Sequence, residues 1–281
     1  MKFISLICRC RDEFFIQEFC DYYLKQGVDT IYILDDESTN QSIYDFKSQT
    51  RYSDVKIIKC KRQYEHATTI NNELNVHDET NKLYKSIRTE YEWVIYVDVD
   101  EFITTKKNSN LTIREQLKEI NQQHSHISCI LVPWVIMSGL YHKTNPTSVL
   151  QSILYRQSQD IRHPYHKKKF DCRYDSTFCK SIFKPIYEHV KDHGPVSTSP
   201  EVVKYNSVDL TTKNIDNFTY KRLRECDIER GYFMCYHYRY ISEQHATTKL
   251  QTNGWYINDG YTLKDLQTSY PEIYDCTFLN K

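Results

Sequence analysis

The feature that most constrains this chain is the alternation of strand-like and helix-like stretches through its first half. Phe3 to Arg9 reads as a buried strand. Asp12 to Gln26 follows as a helix, with Phe15, Phe19, Tyr22 and Tyr23 at helical spacing and Gly27 placed as its stop. Thr30 to Leu34 is a β-branched and aromatic strand that ends abruptly in Asp35-Asp36-Glu37-Ser38. Val55 to Lys59 makes a third strand, and a polar stretch from about Thr69 to Thr89 reads as a helix. Trp93 to Val97 is a fourth strand running straight into Asp98-Val99-Asp100-Glu101-Phe102. Thr112-Ile113-Arg114-Glu115 has the form of a capping box opening a helix to about Asn121, and Ile127 to Val135 is another strand.

Strands that alternate with helices imply an α/β fold: a mostly parallel sheet flanked by helices and wound by right-handed crossovers. In such sheets ligands bind beyond the carboxyl ends of the strands, and both acidic clusters sit at those ends. From about Ser138 the regularity weakens. Gln151 to Lys184 contains the basic stretch His166-Lys167-Lys168-Lys169, and Asn217 to Trp255 is rich in Tyr, His and Arg. With no internal repeat and no low-complexity linker, the chain reads as a single domain over 1–281 with a less regular second half.

Lysine plus arginine equal aspartate plus glutamate at 37 each, so no global field favours nucleic acid, and any charge-based function is local. The ten cysteines match no zinc spacing and are expected as free, mostly buried thiols. The apolar run at Phe3 to Cys8 is too short for an export signal, and nothing approaches the roughly 20 apolar residues of a transmembrane segment. A cytoplasmic protein is the expectation.

Asp98 and Asp100 lie just past a strand, where the backbone can turn both toward one ion. Hard carboxylate oxygens suit Mn2+ or Mg2+, ions that take one or two carboxylates plus substrate phosphates. A solvated acidic turn is the plainer alternative. At the end of the second strand, Asp35 can accept hydrogen bonds from a nucleobase or ribose, or it can cap its own turn. Arg9 and Arg11 stand on the first loop, as nucleotide contacts or as surface charge. Lys180 and Lys249 are candidates for neutralising phosphate, and Trp134, Trp255 and the tyrosines for stacking on sugar or for packing.

Here the residues form a recognisable series. Arg11-Asp12-Glu13, the aromatic helix, Gly27-Val28-Asp29 and the strand ending Asp35-Asp36-Glu37-Ser38 resemble the opening of family 2 and family 92 type glycosyltransferases of the GT-A (Rossmann-like) fold. Trp93 to Phe102 is similar to that family's element of Trp, apolar residues, Asp-x-Asp, Glu and Phe. Trp134 with Ser138-Gly139, Lys180 to Pro185, Asp192-His193-Gly194, and His237-Tyr238 followed by Ser242-Glu243 and Lys249 continue the series in order. The resemblance covers about residues 3 to 255. It departs at Asp12, where Asn is usual, at Asn40, and at Gln63-Tyr64-Glu65-His66-Ala67, which matches only loosely.

The resemblance implies a nucleotide-sugar donor, usually a UDP-sugar, a glycan or glycoconjugate acceptor, and inversion at the anomeric carbon. It implies a nucleotide-binding half over about 1–135 and an acceptor-side half over about 136–281. Carried over by position, Asp35 resembles the base contact, Asp98 the residue near ribose or metal, and Asp100 the metal ligand, with His237 or His193 completing the site. Asp192, His193 and Glu243 are candidates for the base that deprotonates the acceptor. Three other readings share parts of the pattern. A nucleotide-sugar-forming nucleotidyltransferase normally carries a Gly-rich loop, which is missing from Cys8-Arg9-Cys10-Arg11-Asp12. A non-catalytic carbohydrate-binding protein and a metal-dependent phosphoesterase are the others.

Overall fold

Fifteen strands organise the described residues, 1–60, 78–163, 175–252, 254–258, 260–267 and 270–279 of the computed structural model. The segment Gln63 to Ala67, the beginning of the helix expected from Thr69, and the basic stretch His166 to Lys169 lie outside them. The strands are β1 (Lys2–Cys10), β2 (Thr30–Asp36), β3 (Val55–Cys60), β4 (Tyr91–Tyr96), β5 (Glu101–Thr105), β6 (Cys129–Ser138), β7 (Tyr155–Arg156) and β8 (Ser176–Phe183). Then come β9 (His189–Lys191), β10 (Gly194–Val196), β11 (Tyr205–Asn206), β12 (Ile215–Asp216), β13 (Thr219–Lys221), β14 (Phe233–Tyr240) and β15 (Ile273–Tyr274).

The central sheet runs β3-β2-β1-β4 with every pair parallel, then β8 antiparallel to β4, and β6 antiparallel to β8. β14 runs parallel to β6 and antiparallel to β5. The result is the mixed, mostly parallel sheet flanked by helices that the alternation implies. Strands covered on both faces need apolar residues at successive positions; all ten positions of β6 and all eight of β14 are buried.

Helix Ile16–Lys25 packs its buried face of Phe19, Cys20, Tyr22 and Tyr23 on the sheet. It starts four residues later than the pattern suggests, because Asp12 takes a left-handed backbone conformation (φ 54°) and turns the chain first. Gly27 follows the helix at φ 88°, and a Cβ there would come within 2.7 Å of Arg114 Cβ. Only glycine meets both conditions. Helix Asp78–Ile87 is the described part of the second expected helix, and the Thr112–Glu115 capping box opens helix Ile113–Gln123 as expected. No described helix is long and apolar enough to cross a membrane. Nine cysteines are described, all free, with Cys226 and Cys276 exposed and the others buried.

Register explains what meets at the carboxyl edge of the sheet. Ile7 of β1 and Ser181 of β8 both pair with Tyr96, so Arg9 and Lys180, just past those pairs, flank the turn that follows β4. β14 pairs Glu101 with His237, which sets the histidine directly beside the same turn. Three strands distant in sequence thus converge on residues 98–101.

Candidate active site

The turn Val97–Asp100 is tight and self-bonded. Glu101 N–H donates to the Asp98 carbonyl at 3.1 Å, and the Glu101 carboxylate returns by accepting from Asp98 N–H at 2.8 Å. Tyr238 N–H on β14 donates to the Asp100 carbonyl at 2.7 Å. Backbone bonds therefore fix where both aspartate side chains leave the main chain.

Each aspartate carries its own lysine. Lys180 Nζ, in a side chain only 3% exposed, lies 2.7 Å from Asp98 Oδ2, 3.2 Å from Glu101 Oε2 and 3.1 Å from the Asp192 carbonyl. Lys249 Nζ lies 2.9 Å from Asp100 Oδ2 and 3.1 Å from Glu13 Oε1. Burial works against ionising these carboxyls. For Asp98 it is outweighed by Lys180 and Arg9, and for Asp100 by Lys249 and His237, so Asp98 sits below and Asp100 well below the usual carboxylate range. Glu101 goes the other way. Fully buried, and facing the two aspartates, it is pushed up to about 8 despite Lys180.

The other oxygen of each aspartate accepts no hydrogen bond from the described residues. Asp98 Oδ1 faces Arg9 Nη2 at 3.8 Å, and Asp100 Oδ1 faces His237 Nε2 at 3.7 Å, both beyond hydrogen-bond length. Two ligands of one octahedral ion stand roughly 3–4 Å apart, so Asp100 Oδ1 and His237 Nε2 fit a shared divalent cation. Among the described residues no three His, Cys, Asp or Glu side chains form a group that could hold a metal. Asp98, Asp100 and His237, expected to share one ion, are thus not such a group, and Asp100 with His237 is left as a pair of donors that substrate phosphates would have to complete.

Several expected residues do come together here: Arg9, Asp98, Asp100, Lys180, Asp192 and His237. Asp192, more than half exposed, holds Arg9 Nη2 at 3.5 Å. His237 is buried in an aromatic strand with its ring 4.5 Å from Trp134, and it faces Asp100. His193 stacks on Phe178 at 5.3 Å, and burial together with Lys180 lowers it to about 4, so it is a neutral ring at pH 7.

Other placements differ from the expectation. Lys180 is spent on the carboxylates instead of standing open to phosphate. Asp35 is 1% exposed and accepts from Ser38 N–H at 3.1 Å and Tyr44 O–H at 3.0 Å on one oxygen, and from Gln41 at 3.4 Å on the other. That is the turn-capping alternative, two strand spacings or about 10 Å from β4. Glu243 is exposed in the first turn of helix Glu243–Thr252, about 200° around the helix from His245, which faces the site. Arg11 Nε and Nη2 are buried and have no hydrogen-bond partner among the described residues.

Two buried groups at the site, Glu13 and His245, are not among the expected site residues, although Glu13 stands in the Arg11-Asp12-Glu13 element. Glu13 Oε2 lies 2.7 Å from His245 Nε2, and Glu13 Oε1 holds Lys249. The available signal is the spacing of His245 and Lys249, four apart and hence on one helix face.

No family model and no curated protein matches this chain. Among solved structures it is similar to residues 1–349 of TarS from S. aureus, at a TM-score of 0.33 and 14% identity over 66% of this chain and 47% of that one. LgtC, described as a galactosyltransferase in complex with donor and acceptor sugar analogues, matches at a TM-score of 0.25 and 12% identity over 35% of this chain and 38% of that one. HddC from Yersinia pseudotuberculosis, complexed with GMP-PN, matches at 0.35 and 12% over 83% of this chain and 93% of that one. The chain spans about half or less of the TarS and LgtC chains in these matches.

Proposed function

We propose that this protein is a glycosyltransferase that moves a sugar from a nucleoside-diphosphate donor, a UDP-sugar by the sequence resemblance, to a hydroxyl of a glycan or glycoconjugate. One observation carries the reading. At the carboxyl edge of the parallel sheet, Asp98 and Asp100 are held rigidly with one oxygen each outside any hydrogen bond to the described residues, next to the Arg9 guanidinium. Carboxylate oxygens so placed can take a divalent cation, and that cation together with Arg9 would receive the donor's diphosphate.

In the proposed chemistry the acceptor oxygen attacks the anomeric carbon from the side opposite the diphosphate. The sugar–oxygen bond breaks, and its electron pair leaves with the nucleoside diphosphate, which inverts the carbon. Asp192 takes the acceptor proton, because it is the exposed carboxylate beside the turn; Glu243 lies on the outer face of its helix. Asp100 and His237 would hold a Mn2+ or Mg2+ ion, which supplies Lewis-acid stabilisation of the leaving diphosphate. Arg9 contributes fixed positive charge, and Lys180 keeps Asp98 ionised and aimed.

The test is a donor screen. UDP-, GDP- and CMP-sugars are incubated with Mn2+ and the wild type or Asp100→Ala. Turnover of one donor, lowered on the order of 100-fold or more in the variant, is expected. Tight carbohydrate binding without turnover would replace the transferase by a binding protein, and nucleotide-sugar formation from a sugar phosphate and a nucleoside triphosphate would replace it by a nucleotidyltransferase.

A further inference from the structure

Asp100 is the terminus of a buried chain of contacts that starts outside the acidic motif. Lys249 Nζ bridges Asp100 Oδ2 at 2.9 Å and Glu13 Oε1 at 3.1 Å. The other Glu13 oxygen lies 2.7 Å from His245 Nε2. His245 is 4% exposed and packs edge-on against Phe14 and Phe15, with ring centroids 5.7 and 6.0 Å away. Its backbone N–H donates to Ser242 Oγ at 3.0 Å. Glu13 and Lys249 are thus each held by polar partners on two sides, and the His245 ring by Glu13 and the two phenylalanines.

A lysine has four rotatable bonds, and a single carboxylate does not define where its ammonium sits. A second carboxylate on the opposite side does. Because Glu13 pulls on Lys249 from β1's end of the sheet, the ammonium is kept on Asp100 Oδ2, which leaves Oδ1 for His237. Without that pull, either Asp100 oxygen can take the ammonium, and the oxygen facing His237 is no longer defined.

We propose that Glu13 and His245 are positioning residues for Asp100, acting through Lys249 to set which carboxylate oxygen the acidic motif presents. The assignment rests on the transferase reading for its catalytic consequence, but the relay itself is testable without donor or metal. Helix Glu243–Thr252 then delivers His245 and Lys249, one turn apart, to the loop after β1.

The experiment uses the full chain as wild type, Glu13→Gln, Glu13→Asp, Asp100→Asn and the double variant Glu13→Gln/Asp100→Asn. Thermal unfolding is measured first, in the absence of metal and donor. Glu13→Gln and Asp100→Asn each leave Lys249 one carboxylate, and the double leaves a buried ammonium none, so the double is expected to lose more Tm than those two singles combined. Donor turnover is then followed against Mn2+ concentration. Glu13→Gln is expected to raise the half-activating Mn2+ concentration about 10-fold or more with the donor KM at saturating Mn2+ unchanged, and Glu13→Asp to restore part of the loss. Additive Tm losses, or wild-type Mn2+ dependence in Glu13→Gln, overturn the proposal while turnover by the wild type keeps the transferase reading intact. A wild type that turns over no nucleotide-sugar overturns that reading, and the positioning role with it.

Discussion

At the scale of single residues, neighbouring acids of the same motif have opposite electrostatic fates, and solvent access together with counterions decides which. Asp98 is more than one-third exposed and Asp100 pairs with a lysine, whereas Glu101 is fully buried between two other acids and shares Lys180 with Asp98. Its carboxyl, pushed up to about 8 from an ordinary 4.5, carries its proton at neutral pH. Between pH 4.5 and 8 the folded state therefore binds more protons here than the unfolded chain. The stability linked to Glu101 is fully present below 4.5 and is lost as pH rises through 8. Glu101→Gln, isosteric with the protonated acid, is expected to match the wild type at about pH 5 and to exceed it by about 2–4 kcal/mol at about pH 9. Urea unfolding at the two pH values checks this. Equal differences at both pH values would mean that Glu101 stays ionised throughout.

At the scale of elements, the turns do as much as the strands. Asp12 at φ 54° accepts from Asn40 N–H at 2.8 Å and from Thr39 O–H at 3.0 Å, which ties the loop after β1 to the loop after β2. Gly27 ends the first helix where Arg114 of helix Ile113–Gln123 closes in, its Nε donating to the Gly27 carbonyl at 2.8 Å. Gly27→Ala adds left-handed strain to that close contact and is expected to cost at least about 2 kcal/mol in chemical denaturation. A loss under about 0.5 kcal/mol would show that the Arg114 backbone yields freely. These elements also mark what is readable in the sequence alone. The aliphatic strands, the Gly27 stop, the Thr112 capping box and the acids after β4 are local patterns, and they are legible. The pairing of Lys180 with Asp98, and of Lys249 with Asp100 and Glu13, is not, because it depends on the register of β8 against β4 and on a helix 149 residues away from the acid it serves. Asp35 misleads for the same reason: its strand-end position is local, but Tyr44 and Gln41, which occupy its oxygens, come from the following turn of 3-10 helix.

At the scale of the whole molecule, the last described segment is fastened to the back of the site. Phe278 packs edge-on against Tyr22, Phe102 and Tyr236 with centroids 5.4, 6.2 and 5.0 Å away, so it lies against the strand that begins with Glu101 and the helix that covers it. An ion cluster adds to that packing and to the pairing of β15 with β7. Arg156, with a side chain 5% exposed, reaches Asp275 at 2.7 Å and Glu225 through two nitrogens at 3.0 and 2.7 Å, and Tyr236 O–H donates to the same Asp275 at 3.0 Å. Removing one partner of a buried pair leaves the other charge without compensation, which is worse than removing both. Arg156→Met is therefore expected to cost about 3–5 kcal/mol in urea unfolding. Arg156→Met with Asp275→Leu should recover part of that loss, because it also removes the carboxylate left without its arginine, and only part, because Tyr236 O–H and Thr277 N–H lose their acceptor. If the double variant is less stable than the single by the full cost of Asp275→Leu alone, the two residues are independent, and the segment is held by Phe278 packing instead of by the ion pair.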